Sequence, residues 1–158
     1  MRTLRWALLA LIVASLHTTS AMADQSVEVN GVVYTLSHVR ATHTIGDPAM
    51  GGSRANGVYV IISLAMVNNT HRTRTVNPTV CTLTDGGGTV YQTSDTGDAA
   101  LAMTGDKNAS WLDSQVQPGV PRTSDIVFEV PSGKRSFTLT IPASLLSFGR
   151  SGKIAISF

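Results

Sequence analysis

Short alternations of apolar and polar residues, separated by turn-forming residues, run through most of this chain. From residue 27 onward, β-branched residues recur at every second position, and Gly, Pro, Asn and Asp interrupt them before a helical period is established. The pattern predicts an all-β domain of about seven to nine short strands. Strands at this spacing favour an antiparallel sandwich over a barrel, although periodicity alone does not separate the two.

Several segments carry clear strand signals. Residues 27–29 and 32–36 flank Asn30-Gly31, a pair that tolerates the positive φ angles of a type I′ hairpin. Residues 58–67 are apolar on both faces, which is typical of a central strand. Residues 126–158 alternate again and predict the last strands, each with one buried face.

Two long connections interrupt the strands, at residues 42–56 and 94–110. Both are polar and rich in turn-forming residues, and the second contains one expected helical turn near residues 98–103. Loops held on a rigid scaffold are common binding sites. We therefore expect these two loops to be the contact regions.

The N-terminus has the three parts of a secretory signal peptide. Arg2 and Arg5 precede the apolar run 6–16, and small residues at Ala21 and Ala23 mark a cleavage point near Ala23. The run is too short to cross a bilayer as a helix. The sequence thus predicts a signal peptide at residues 1–23, a single domain at residues 24–158, no membrane span, and a periplasmic or secreted location.

The charge balance and the cysteine count limit the classes of partner and the covalent links that this domain can have. The chain has 12 basic and 10 acidic residues, and loss of Arg2 and Arg5 with the signal peptide leaves these numbers equal. A balanced charge argues against a nucleic-acid partner. Cys81 is the only cysteine, so no intramolecular disulfide can form. We expect Cys81 to be a small buried residue on the same face as Leu83.

A series of landmarks occurs in a characteristic order along residues 27–141. They are Tyr34-Thr35-Leu36, Gly57-Val58-Tyr59, Val67-Asn68-Asn69, Cys81-Thr82-Leu83-Thr84-Asp85 with Tyr91, Pro118-Gly119 and Phe128-Glu129-Val130-Pro131. This order resembles the bacterial telokin-like, immunoglobulin-like extracellular domains, largely of unknown function. The resemblance implies an immunoglobulin-like antiparallel sandwich without an inter-sheet disulfide, found in lipoprotein or secreted-protein modules. It implies no catalytic residues.

Motifs for catalysis and for metal binding are missing at the expected spacings. Ala55 stands where a Gly-x-Ser-x-Gly motif needs its second glycine, and residues 147–154 depart from a phosphate-binding loop at both ends. The acids in the second long connection lack the spacing of a calcium loop. These acids are Asp95, Asp98, Asp106 and Asp113. The sequence therefore predicts neither an enzyme nor a cofactor.

The function predicted from these observations is that of an exported, non-catalytic module. It would bind another extracytoplasmic protein, or a ligand, through loops or a sheet edge. The candidate contact residues are His43, Met50, Arg54, His71, Arg72 and Arg74.

The alternative is a periplasmic copper-binding protein, because imidazole and thioether groups suit copper. The residues in question are His38, His43, His71, Met50, Met66 and Met103. The partner and the oligomeric state stay open at this point.

Overall fold

The structure is a computed structural model that describes residues 25–109, 114–143 and 150–158. The expected signal peptide and Asp113 lie outside these residues. Ten strands and one α-helix occur in the described part of the chain. They are β1 (Ser26–Val29), β2 (Val32–Ile45), β3 (Ser53–Asn68), β4 (Arg74–Val76), β5 (Thr82–Asp85), β6 (Val90–Gln92), α1 (Asp95–Met103), β7 (Ser114–Val116), β8 (Arg122–Val130), β9 (Ser136–Ile141) and β10 (Gly152–Ser157).

The strands form two four-stranded sheets with antiparallel pairing. One has the order β1-β2-β3-β8 and the other β10-β9-β5-β6, while β4 and β7 form a separate two-stranded ribbon. The C-terminal strand β10 pairs with β9 along its whole length. The prediction of an all-β antiparallel sandwich is confirmed, and the described residues contain slightly more strands than expected.

The inner face of β3 forms the centre of the core between the two sheets. Val60, Ile62, Leu64 and Met66 are each at most 1% exposed, and they belong to one apolar cluster with residues of the second sheet such as Leu139. Burying each of these side chains contributes roughly 1.5–3 kcal/mol. Cys81 and Leu83 belong to the same cluster, so the predicted burial of the thiol is confirmed.

The outer face of β3 is covered by α1. Tyr59 and Ile61 form a second apolar cluster with Leu101 of the helix and Val127 of β8. Since β3 pairs with β2 on one side and β8 on the other, the predicted central strand is confirmed. Both of its faces are apolar because one faces the second sheet and the other faces a helix.

Two hairpins follow the sequence prediction. Asn30 and Gly31 adopt φ angles of 53° and 79°, the left-handed pair that a type I′ turn requires, between β1 and β2. The turn between β5 and β6 is organised by Asp85, whose carboxylate accepts hydrogen bonds from the Gly87 and Thr89 amides.

The Asp85 carboxylate also pairs with a cation. Lys134 Nζ lies 2.9 Å from Asp85 Oδ2, and the Tyr91 hydroxyl donates to the same oxygen. The lysine, followed by the backbone hydrogen bonds, lowers the pKa of Asp85 to about 2. The buried acid is therefore ionised and paired at physiological pH.

The prediction of a surface loop at residues 42–56 is wrong. β2 continues to Ile45 and β3 begins at Ser53, so only residues 46–52 connect them, with a 3₁₀ turn at Pro48–Met50. The strand ends carry mostly polar residues and lack the apolar alternation that marks a half-buried strand. Backbone pairing across the hairpin keeps them extended.

The second connection contains a helix that is longer than the predicted single turn. Ser94 is its N-cap, since its hydroxyl accepts a hydrogen bond from the Gly97 amide, and Asp95 and Asp98 lie in the first turn. These residues are the usual signals of a helix start. No helix in the described part of the chain has the length and hydropathy of a membrane-spanning segment.

Asp98 joins this helix to the first sheet. Its side chain is buried, and Oδ1 accepts a hydrogen bond from the Val127 amide at 2.9 Å. Oδ2 is buried without a hydrogen-bond partner among the described residues. Burial raises the pKa of Asp98 to about 7, so the folded protein favours the protonated acid.

The raised pKa makes a pH dependence testable. The folded state binds this proton more tightly than the unfolded state, so stability falls as pH rises from about 4 to about 7. Asp98→Asn carries no charge at this position. The unfolding free energy of the variant minus that of the wild type should therefore be roughly 1–3 kcal/mol higher at pH 8 than at pH 4. Urea denaturation at the two pH values measures the difference.

The exposed Asp95 is the matched control, because Asp95→Asn changes the same helical turn, leaves the buried acid in place and removes only the smallest of the three influences on the pKa of Asp98. Its stability relative to the wild type should change little between the two pH values. Equal pH responses of the Asp98 and Asp95 variants would contradict the assignment.

Candidate binding site

The six predicted contact residues fall into two groups at opposite ends of the β2–β3 hairpin. Val32 pairs with Asn68 at one end, and Ile45 pairs with Ser53 at the other. The 14 residues of β2 separate these ends by about 40 Å. His43, Met50 and Arg54 lie toward the hairpin tip, while His71, Arg72 and Arg74 follow Asn68 at the far end.

This separation contradicts a copper site that combines His43 with His71. His43 Nδ1 lies 2.9 Å from the Gly57 carbonyl oxygen, and Met66 is buried in the core. Across the described ranges, no group of three or more His, Cys, Asp or Glu side chains could hold a metal ion. The six residues of the copper hypothesis thus do not form one site, because His38 lies in the middle of the hairpin, His71 at its far end and Met66 in the core.

At the hairpin tip, the two predicted contact loops meet. Met50 and Met103 are 80% and 70% exposed, and a methyl group added to Gly51 would lie 3.7 Å from Met103 Cγ. Between the tip and α1 lies a hollow of about 430 Å³ whose lining includes Ala99. We refer to Met50, Gly51, Ala99 and Met103 as the methionine surface.

At the far end, Asn68 holds the turn that carries the basic residues. Its Nδ2 donates to the carbonyls of Arg72 and Val116 at 2.8 and 2.9 Å, and its Oδ1 accepts from the amide and hydroxyl of Thr70. The Asn68 carbonyl accepts a further bond from the Gly119 amide. A fully bonded, buried side chain thereby fixes residues 69–73 against the segment after β7.

A cavity of about 700 Å³ opens beside this turn. Strands β1 to β3 line one side, Cys81 and the end of β9 line the other, and residues 73–80 lie across it. We call it the Arg74 cavity. Its main apolar side chains are those of Val29, Val32, Leu64, Met66, Val76 and Ile141.

Polar side chains from several parts of the fold line the cavity. Tyr34, Cys81 and Ser124 are the ones that are largely buried. Burial, together with the nearby Cys81, raises the pKa of Tyr34 to about 12, and burial raises the pKa of Cys81 to about 12. All three groups are neutral at physiological pH.

Arg74 is the only charged side chain among the described residues that line the cavity. It is exposed, and the described ion pairs, Arg40–Asp106 and Lys134–Asp85, do not include it. Of the six predicted contact residues, Arg74 is the one that lines this cavity. The sequence gives no signal for Tyr34 and Ser124, because an inward-facing residue has the same pattern beside a hollow as in a packed core.

The outer edge of β8 is partly covered by backbone hydrogen bonds. The Ser94 amide donates to the Val127 carbonyl at 2.7 Å, and the Asp125 amide donates to the Asn108 carbonyl at 2.8 Å. The connection that contains α1 therefore occupies part of the edge at which another strand could add.

Comparisons with known proteins show a family and a fold. A family model described as a domain of unknown function (DUF4352) matches residues 21–151. No curated protein matches the chain.

Three solved structures from Bacillus are similar in fold. A "putative lipoprotein (ycdA)" from Bacillus subtilis has a TM-score of 0.62 at 15% identity, over 85% of this chain and 39% of its own length. The yjhA protein of the same organism has a TM-score of 0.57 at 12% identity, covering 85% of this chain and 96% of its own. A conserved hypothetical protein from Bacillus anthracis has a TM-score of 0.54 at 14% identity, covering 84% and 87%. The chain thus spans about two fifths of the ycdA protein.

The role of Asn68 can be tested by substitution. Asn68→Ala removes both donors to the Arg72 and Val116 carbonyls and the acceptor for Thr70, and should cost roughly 2–4 kcal/mol of unfolding free energy. The exposed neighbour Asn69 is the control, and Asn69→Ala should change stability by less than about 0.5 kcal/mol. Similar values for both variants in urea denaturation would refute this role.

Proposed function

The chain belongs to the DUF4352 family, a domain family of unknown function, and on that premise we propose that it is an extracytoplasmic, non-catalytic binding module whose site is the Arg74 cavity. The cavity itself carries the proposal. Its volume of about 700 Å³ lies within the range of roughly 300–1,000 Å³ that is usual for small-molecule sites.

The composition of the cavity wall supports ligand binding. Protein interiors are close-packed, and voids larger than a water molecule are few. A largely apolar hollow that also presents the Tyr34 and Ser124 hydroxyls has the arrangement typical of a ligand pocket. A ligand would regain packing contacts with the apolar wall and supply partners to the hydroxyls.

The chemistry of the cavity supports binding without catalysis. A reactive cysteine needs its thiolate, and the pKa of Cys81 is raised to about 12 by burial. Arg74 remains charged and cannot serve as a general base. These properties of the described lining support a role in holding a ligand.

The extracytoplasmic location is supported by two observations. The N-terminal sequence has the basic, apolar and small-residue parts of an export signal. In addition, the ycdA protein, which is similar in fold, is described as a "putative lipoprotein".

Binding of an apolar probe tests the proposal. N-phenyl-1-naphthylamine, a neutral dye that fluoresces in apolar surroundings, should bind the purified mature protein at a single site. Ala143 lines the cavity and is partly exposed, so Ala143→Trp should fill part of the space and weaken dye binding at least tenfold. Fluorescence titration measures the dissociation constants.

The control places the same side chain elsewhere. Ala155 is an exposed residue of β10 outside the cavity, and Ala155→Trp should leave dye binding unchanged. If the dye does not bind the wild type, or if both tryptophan variants bind it as the wild type does, the Arg74 cavity is not the site.

A second candidate function is contact with a protein partner at the methionine surface. The observation in its favour is that the exposed Met103 lies beside Gly51, the residue that follows the exposed Met50 at the hairpin tip. Methionine is adaptable and is common at binding surfaces that accept varied shapes. This candidate keeps the prediction that both connections contribute to contact with a partner.

Site-specific photo-crosslinking in the host tests the second candidate. A photoreactive amino acid at position 50 should yield a defined crosslinked product, and Met103→Glu should reduce its yield several-fold by placing a charge in the apolar contact. Val120 is 52% exposed and outside the methionine surface, so the same group at position 120 is the control. Equal products from both positions, or a yield unaffected by Met103→Glu, would exclude this surface.

A further inference from the structure

We infer that the Arg74 cavity takes a single-chain amphiphile with an anionic head group, the hydrocarbon chain lying between the sheets and the head group pairing with Arg74. The inference rests on the proposed function and specifies the ligand of the same site. The polarity of the wall, the distribution of charge and the rigidity of the mouth support it.

The polarity of the wall suits a hydrocarbon chain. Side chains from both sheets supply the apolar surface, with Leu64 and Met66 on one side and Ile141 on the other. Tyr34 and Ser124 add uncharged hydroxyls to this wall, and Asn30, Thr73, Thr75 and Asn77 are the other uncharged polar residues of the lining. A hydrocarbon chain brings no polar atoms that need partners there.

An extended peptide suits the same space less well. Each residue of a peptide brings an N–H and a C=O that require hydrogen bonds when they are buried. On the strands of the two four-stranded sheets, the described wall offers the hydroxyls of Tyr34 and Ser124, while Asn30, Thr73, Thr75 and Asn77 belong to the β1–β2 turn and to β4 with its flanking residues. A hydrocarbon chain avoids this desolvation penalty, so the wall favours an amphiphile over a peptide.

The distribution of charge selects an anionic head group. No acidic residue is among the described residues that line the cavity, and Arg74 has no ion pair in the described part of the chain. His71 and Arg72 lie two or three residues away on the same turn. A guanidinium binds carboxylate or phosphate oxygens through two parallel hydrogen bonds.

The mouth of the cavity is built on ordered backbone. Arg74 pairs with Val116 in the β4–β7 ribbon, and Asn68 bonds to the carbonyl of Val116 and to that of Arg72, two residues before Arg74. The backbone that carries the guanidinium is therefore held in place before a ligand arrives. Such preorganisation lowers the entropy lost on binding.

Competition between two ligands of equal chain length tests the inference. In this experiment, dodecanoate and dodecanol are each titrated, below their aggregation concentrations, against N-phenyl-1-naphthylamine bound to the mature protein. Dodecanoate should bind at least tenfold more tightly than dodecanol, since a hydrogen-bonded charge pair is worth about tenfold or more. Fatty acids of eight, ten and twelve carbons should gain about threefold to fourfold in affinity per methylene until the cavity is filled.

Arg74→Gln separates the role of the charge from that of the cavity. It should weaken the binding of dodecanoate about tenfold and leave the affinities for dodecanol and the dye unchanged. The melting temperature should also stay the same, because Arg74 is exposed and has no ion pair in the described structure. Arg54→Gln removes an exposed arginine from the opposite end of the hairpin and should have no effect on any ligand.

The possible results separate failure of the anionic amphiphile as ligand from failure of the Arg74 cavity as a binding site. If the dye binds in the cavity but dodecanoate and dodecanol displace it equally, or if Arg74→Gln and Arg54→Gln behave alike, the anionic amphiphile is wrong and the binding module stands. A flat chain-length series would contradict an acyl chain in the cavity. Failure of the dye to bind would remove the proposed function and this inference together.

Discussion

Burial of β3 on both faces is the constraint on which the rest of the structure depends. Its residues alternate between the interior of the sandwich, as with Ile62 and Leu64, and the outer face, as with Tyr59 and Ile61. A strand that is apolar on both faces needs two covers. The second sheet covers one face and α1 covers the other, so the α-helix completes the core of a protein that is otherwise built from strands.

Polar side chains at the borders of this core keep the connections in place. Asn68 bonds the turn after β3 to the segment after β7, Asp85 closes the β5–β6 hairpin, and Asp98 joins α1 to β8. Each accepts or donates bonds that buried backbone groups would otherwise lack. Two of these residues, Asn68 and Asp85, belong to the landmarks of the family resemblance, and both have structural roles here.

The length of the β2–β3 hairpin divides the functional surface in two. The methionine surface lies at the tip, and the Arg74 cavity lies at the base, where β2 begins and β3 ends. Because about 40 Å of paired strand separates the two ends, no single small ligand can contact both. The cavity suits a small amphiphile, while the exposed methionines offer a surface for a larger partner.

The sequence by itself determined the strands whose apolar residues alternate, the type I′ hairpin at Asn30-Gly31, the central position of β3 and the burial of Cys81, because side-chain pattern and turn chemistry are local properties. It did not reveal the extension of β2 to Ile45, since those residues are polar and the pairing with β3 decides their conformation. The candidate site depended still more on tertiary structure. Arg74 was a candidate from its charge, but only the packing of two sheets brought it beside the hydroxyls of Tyr34 and Ser124, which are distant in the chain and carry no local mark of a hollow. A void is a property of how faces meet, and that relation is decided by the whole fold.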